Sequence, residues 1–254
     1  MKFILALLFS IFLFSCSSKK HYNDWTKDRL QGEVRSFTEW SYRAKDSADV
    51  VVKGIRARPY GYDQQLVYDN NGRCIEQNSY NSDDLLVNRS IMVYDNNGLC
   101  VEKQNYSLQE GLMNKSIFTY DTRDNCIAQE DYDAEANLEY RYTYRFDHDN
   151  RCVEEKRYTS ESHLISKLLM RYDNHGQCVE RSYFNADNQL DYKLSFDFNQ
   201  NGYRSQRISY DLKGDPDSKT VSHYEYDKHG NWTKRIDHMN GRPEYILERT
   251  YDYF

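Results

Sequence analysis

The chain has 254 residues, a formal net charge of −6, a mean hydropathy of −0.96 and 39% hydrophobic residues. Both signs of charge alternate along it, as in Glu154-Glu155-Lys156-Arg157, so no basic stripe forms and nucleic acid is excluded as a partner. Aliphatic core material is below the roughly 45–50% apolar content usual in soluble domains, and 24 tyrosines replace it, each burying a ring while its hydroxyl stays near water.

In chain order, Met1-Lys2 and the apolar run Phe3 to Phe14 are too short to span a bilayer and predict a signal peptide over residues 1–15. Leu13-Phe14-Ser15-Cys16 resembles the lipobox of bacterial lipoproteins, which implies cleavage before Cys16, lipidation of that cysteine and membrane attachment through its acyl chains. Residues 16–29 then form a tether. Ser17-Ser18-Lys19-Lys20 lacks the acidic run that some lipoproteins use for export, favouring an outer-membrane position facing the periplasm, with the cell surface as the alternative.

Residues 30–67 predict an opening strand around Leu30 to Phe37 followed by a long loop, Arg43 to Gly61, that caps the array or offers contacts through Arg56, Arg58 and Tyr60. Asp46-Ser47-Ala48 resembles a bacterial O-glycosylation acceptor. Trp25, Trp40 and Trp232 read as terminal core or caps.

Residues 68–254 are a repeat array. Tyr68, Tyr94, Tyr120, Phe146 and Tyr172 recur every 26 residues, and the columns Cys74 to Cys178, Leu86 to Leu190 and Tyr80 to Phe184 keep the same step. Two weaker units open at Phe198 and at Tyr226, the second displaced by 28 residues. Each unit predicts a β-hairpin: Asp95-Asn96-Asn97-Gly98 is a type I turn closed by a left-handed glycine, flanked by runs rich in Tyr, Val, Ile and Thr. Where the glycine is missing, Asp124 and Asn150 tolerate the same conformation. Strict alternation places Met92 and Tyr94 on one face, and Cys100, Glu102, Gln104 and Tyr106 together on one side of the return strand. Stacking gives an all-β, elongated, twisted antiparallel sheet of hairpin repeats, an open solenoid-like array about 70 Å long, with Tyr251 to Phe254 as an exposed edge. Successive cysteines fall about 9.6 Å apart, beyond disulfide reach, and so are expected as free thiols. The segment Asp211 to Lys219 interrupts the period, making Asp215 and Asp217 further contact candidates.

The frame Tyr226-Asp227-Lys228-His229-Gly230-Asn231-Trp232, together with the leader and the opening strand Leu30 to Phe37, resembles the Tyr-Asp (YD, or RHS-like) repeat lipoproteins of Gram-negative envelopes. The resemblance implies an envelope protein without catalytic residues, and seven short units are expected to enclose nothing. No nucleophile, metal or phosphate-loop signature is present, and Asp69, Asp95, Asp121, Asp147 and Asp173 are turn formers by position. The expected function is a non-enzymatic binding or scaffolding module for protein or glycan, with no cofactor and no metal. The alternatives are a carbohydrate-active hydrolase or a structural component without a small ligand. Oligomeric state is not legible.

Overall fold

The computed structural model describes residues 23–47, 50–57 and 63–254. Among these residues a short helix, α1 (Asp24–Lys27), precedes seventeen strands. These are β1 (Val34–Ser47), β2 (Val50–Arg56), β3 (Asp63–Tyr68), β4 (Cys74–Tyr80), β5 (Leu86–Tyr94), β6 (Cys100–Ser107), β7 (Gly111–Tyr120), β8 (Cys126–Asp133) and β9 (Leu138–Phe146). They continue with β10 (Cys152–Thr159), β11 (Leu164–Tyr172), β12 (Cys178–Asn185), β13 (Leu190–Phe198), β14 (Arg204–Tyr210), β15 (Pro216–Tyr226), β16 (Trp232–Met239) and β17 (Arg242–Tyr253).

Local chemistry makes the hairpins. In the first repeat the Gly72 amide donates to the Asp69 carbonyl at 2.9 Å and the Asp69 amide donates to the Arg73 carbonyl at 2.9 Å. The Asp69 carboxylate accepts from the amides of Asn71 and Arg73 at 2.9 and 3.0 Å, and Gly72 has φ +76°. Asp124 and Asn150 take the glycine's place at φ +63° and +59°. Across the turn, Tyr68 pairs with Cys74 but Val67 pairs with Glu76, so one residue bulges beside every cysteine. The same shift recurs at Tyr94/Cys100, Tyr120/Cys126 and Tyr172/Cys178. Met92 therefore faces Lys103 and Val93 faces Glu102. This corrects the expected alternation, because the bulge puts Cys100 on the opposite face from Glu102, Gln104 and Tyr106. Neighbouring repeats are latched by the motif tyrosine. The hydroxyls of Tyr94, Tyr120 and Tyr172 donate to the carbonyls of Cys74, Cys100 and Cys152, each at 2.7 Å.

The sheet is not an open array. From β3 to β17 every strand pairs antiparallel with the next, and β1 pairs with β17 along Val34 to Arg43 and with β3 along Ser36 to Glu39. Fifteen consecutive strands plus β1 make a closed sixteen-stranded antiparallel barrel, while β2 pairs only with the far half of β1. Twist and a bulge in every repeat curl the sheet until its edges meet, which satisfies the amides and carbonyls an open edge would leave exposed. The expectations of a solenoid-like array, a free C-terminal edge and an inability to enclose space are overturned by this seam: Thr38 pairs with Thr250, and the Phe254 amide donates to Glu33 at 3.0 Å.

Residues 23–33 lie across the end of the barrel that carries the Tyr-Asp turns. On one side the Asp24 amide donates to the Gly72 carbonyl at 2.8 Å, and the Asp24 carboxylate accepts from the Cys74 amide at 2.8 Å and the Tyr94 hydroxyl at 2.9 Å. On the other, the Tyr203 hydroxyl donates to the Arg29 carbonyl at 2.8 Å, and fully buried Asn231 exchanges two 2.8 Å bonds with the backbone of Gln31. Leu30, Val34, Phe37, Tyr68 and Cys74 form the buried apolar cluster beneath this plug, with Trp25, Leu66 and Met92 against it.

Candidate functional site: the barrel lumen

The plug identifies the inner face. Asp24, Lys27 and Asp28 share one cavity of about 340 Å³ with Leu66, Met92, Tyr120 and Tyr144, side chains from β3, β5, β7 and β9. Lys27, Asp28 and Arg29 share a second, of about 370 Å³, with Phe198, Arg204, Trp232 and Arg249 from the opposite wall. The face bearing the motif tyrosines and the cysteine column is therefore the lumen. Pairing then places Tyr140, Tyr142, Tyr144, Tyr183 and Tyr192 inside, with Tyr183 and Tyr192 stacked at 4.2 Å.

The outer face is charged. Along β9, Glu139, Arg141, Thr143 and Arg145 are exposed and alternate with half-buried lumenal tyrosines. Cross-strand ion pairs ring the outside: Arg141–Glu130 at 3.1 Å, Arg145–Glu154 at 3.6 Å, Arg171–Glu180 at 3.3 Å and Lys234–Glu225 at 3.1 Å. No helix among the described residues is long and apolar enough to cross a membrane. For strands the outward face decides, and midway along this one Ile91, Ile117 and Leu169 alternate with the charged Glu76, Glu102, Glu130, Arg141 and Glu154.

Lumenal acids and thiols are perturbed by burial. Asp28 is pushed above the ordinary carboxyl range by desolvation, although the Tyr68 hydroxyl, 2.7 Å away, opposes this. Glu155 is raised likewise, against the pull of Arg181 and Arg157. Burial pushes the Cys74 thiol up to about 12 and those of Cys100 and Cys126 to about 11. All five column cysteines are free, as expected.

The sequence-derived contact residues do not converge. Arg56 leaves β2 to bond Asp63 at 2.8 Å and Asp84 at 2.6 Å outside the barrel, its guanidinium 4.2 Å over Trp40. Asp215 closes the ordinary turn Asp211–Asp215, and Asp217 is an exposed residue of β15. The period-breaking segment is thus a turn and a longer strand rather than a loop. Arg58, Tyr60, Cys16 and the Ser47 side chain lie outside the described residues. Trp25 packs in the plug and Trp232 is buried in the lumen.

Pattern reading missed the arginines. Arg204 and Trp232 occupy the cysteine column, since 178 + 26 = 204 and 204 + 28 = 232, so the point where the column changes residue type was the available signal. Arg157, Arg181, Arg204, Arg207 and Arg235 all point inward from β10, β12, β14 and β16.

No family model and no curated protein matches the chain. Among solved structures, a porin-like protein from Bacteroides uniformis ATCC 8492 is 13% identical, matching over 87% of this chain and 99% of its own, at a TM-score of 0.56. A porin-like protein from Bacteroides vulgatus ATCC 8482 is 11% identical over 85% and 100%, at 0.39. A TcdB2–TccC3 complex is 11% identical over 82% of this chain and 14% of that one, at 0.29. At these identities the first match speaks for the fold alone, a closed antiparallel barrel. Together with the seam it overturns the resemblance to open YD (RHS-like) repeats.

Proposed function

We propose that this chain is a non-enzymatic envelope protein whose barrel stands in the aqueous phase, tethered through a lipidated Cys16, and whose plugged lumen is a binding compartment for a small molecule. The observation that carries this reading is the division of the two faces: ion pairs outside, tyrosines and arginines inside. A bilayer-spanning barrel needs an outward apolar band about 25 Å tall, and a lysine or arginine near its midplane costs about 2–4 kcal/mol. Arg141 and Lys193, each midway along its strand, stand on the outward face here.

Six residues lie between Cys16 and Asn23, seven steps that reach at most about 25 Å, so the anchor holds the plugged end towards the membrane and presents the other rim to the compartment beyond. Of the two lumenal acids raised by burial, Asp28 bonds Tyr68 as part of the plug's docking and Glu155 is held against Arg181 and Arg157, which disfavours catalysis.

Detergent phase partition tests the reading, comparing the native protein with Cys16→Ala. The native protein is expected in the detergent phase, labelled by radioactive palmitate, and the variant in the aqueous phase. A folded Cys16→Ala protein that stayed with detergent would show that the barrel itself enters the bilayer and would end the proposal.

A further inference from the structure

The half of the lumen between β10 and β16 carries more positive charge than its own carboxylates neutralise. Five arginines face inward there (Arg157, Arg181, Arg204, Arg207, Arg235) against two acids (Glu155, Asp237), an excess of 5 − 2 = 3. Asp237 is bonded by Arg235 at 3.0 Å. Among the described residues, neither Arg181 nor Arg204 has a carboxylate oxygen within 4.0 Å. Instead both guanidiniums approach the same ring: Arg204 stands 4.3 Å and Arg181 5.9 Å from the centroid of Phe196, on the strand between them. The Nε atoms of Arg181 and Arg157 are buried without a hydrogen-bond partner.

Arg204 is open to the lumen and Arg181 half-buried; like charges facing one aromatic ring repel, and the buried, unpaired Nε–H of Arg181 carries a desolvation cost that folding alone does not offset. Desolvation, followed by the nearby charge of Arg181, lowers the proton affinity of Arg204 accordingly. Around Arg204 the space is adequate for a ligand. It lines the 370 Å³ cavity beneath the plug and also a neighbouring one of about 230 Å³ with Arg207, Ser222 and Tyr224. Tyr203 and Tyr224, stacked with centroids 5.6 Å apart, supply a ring-lined wall beside it, with buried Trp232 behind Tyr224.

We infer that this wall binds a small organic oxyanion, a ring-bearing carboxylate, sulfate or phosphate ester whose charged group is gripped by Arg204 and Arg181 and whose ring lies against Tyr203 and Tyr224. Guanidinium forks match such groups bidentately, and aromatic faces hold a sugar or other ring beside them. The inference rests on the lumen being a binding compartment and adds the charge and class of what fills it.

Isothermal titration of the full-length protein in detergent, using glucuronate, glucose 6-sulfate, glucose, inorganic sulfate and inorganic phosphate, tests it. Glucuronate or glucose 6-sulfate is expected to bind at least tenfold more tightly than glucose and than either inorganic ion, and to weaken with added salt. Which of the two binds more tightly separates a carboxylate from an ester source. Arg204→Gln is expected to lose at least tenfold in affinity, Arg204→Lys to fall between, and the outward control Arg145→Gln to match wild type. Glucose binding as well as glucuronate in wild type would overturn the anion while leaving the compartment standing. Inorganic ions binding as tightly as the sugar acids would overturn the ring-bearing ligand, and an absence of binding in every arm would overturn the inference outright. Because the wild-type comparison needs no variant, a misfolded Arg204→Gln does not shield the idea.

Discussion

Alanine at Gly72 measures how firmly the plug is seated. Gly72 and Gly98 close equivalent turns at φ +76° and +83°, so alanine at either carries the same left-handed backbone cost, about 1–2 kcal/mol. Their surroundings differ. A Cβ at Gly98 meets nothing within 4 Å, whereas at Gly72 it would stand 2.6 Å from Trp25 Cε3 and 2.6 Å from Asn23 Oδ1. The indole cannot simply swing aside, because its Nε1 donates to the Val34 carbonyl at 2.7 Å while the amides of Asp24 and Trp25 bond the Gly72 carbonyl at 2.8 and 3.3 Å. Overpacking of this kind adds about 1–3 kcal/mol. Gly72→Ala should therefore melt below Gly98→Ala by roughly 2–12 °C, taking about 2–4 °C per kcal/mol for a chain of this size. Thermal unfolding followed by far-ultraviolet circular dichroism gives the midpoints, and tryptophan emission reports the plug. Equal midpoints for the two variants would refute the claim that the plug is docked on this turn.

Three further outcomes follow from the repeat. Tyr172→Phe removes only the hydroxyl that donates to Cys152 and should cost about 1 kcal/mol in urea unfolding. Tyr94→Phe also deprives the buried Asp24 carboxylate of a donor and should cost about 2 kcal/mol, so equal losses would contradict the added role. Asn125 and the turn amides hold Asp121 below the usual carboxyl range, and Arg151 does the same for Asp147. Their stabilisation is complete above the unfolded value of about 3.9 and is lost as pH falls through the depressed folded values. Asp121→Asn should accordingly flatten the acid limb of a stability–pH curve, and an unchanged limb would count against it. With its thiol pushed up to about 12 by burial, Cys74 should resist iodoacetamide at pH 8 until urea opens the barrel; modification of the folded protein would show it exposed.

The hairpins were legible because each is a local event: an aspartate, a left-handed residue three positions on, and β-prone flanks. Closure was not, because pairing Thr38 with Thr250 leaves no mark in either segment. The bulge beside Cys100 was equally hidden, and it inverted the faces: strict alternation grouped Cys100 with Glu102, whereas one extra residue sends the thiol into the lumen and the carboxylate outside. That inversion also concealed the lumenal charge. Arg181 lies three residues after its cysteine and faces inward only because of the bulge. The aspartates read as turn formers do hold the turns, whereas Arg56, picked from a supposed loop, anchors β2 against the outer wall.

The seam between β1 and β17 also constrains how the molecule is made. Val34 must find Tyr253, more than 200 positions away, before the cylinder can shut, so a nascent chain carries two bare strand margins until β17 arrives. Every truncation that removes β17 leaves those margins adhesive.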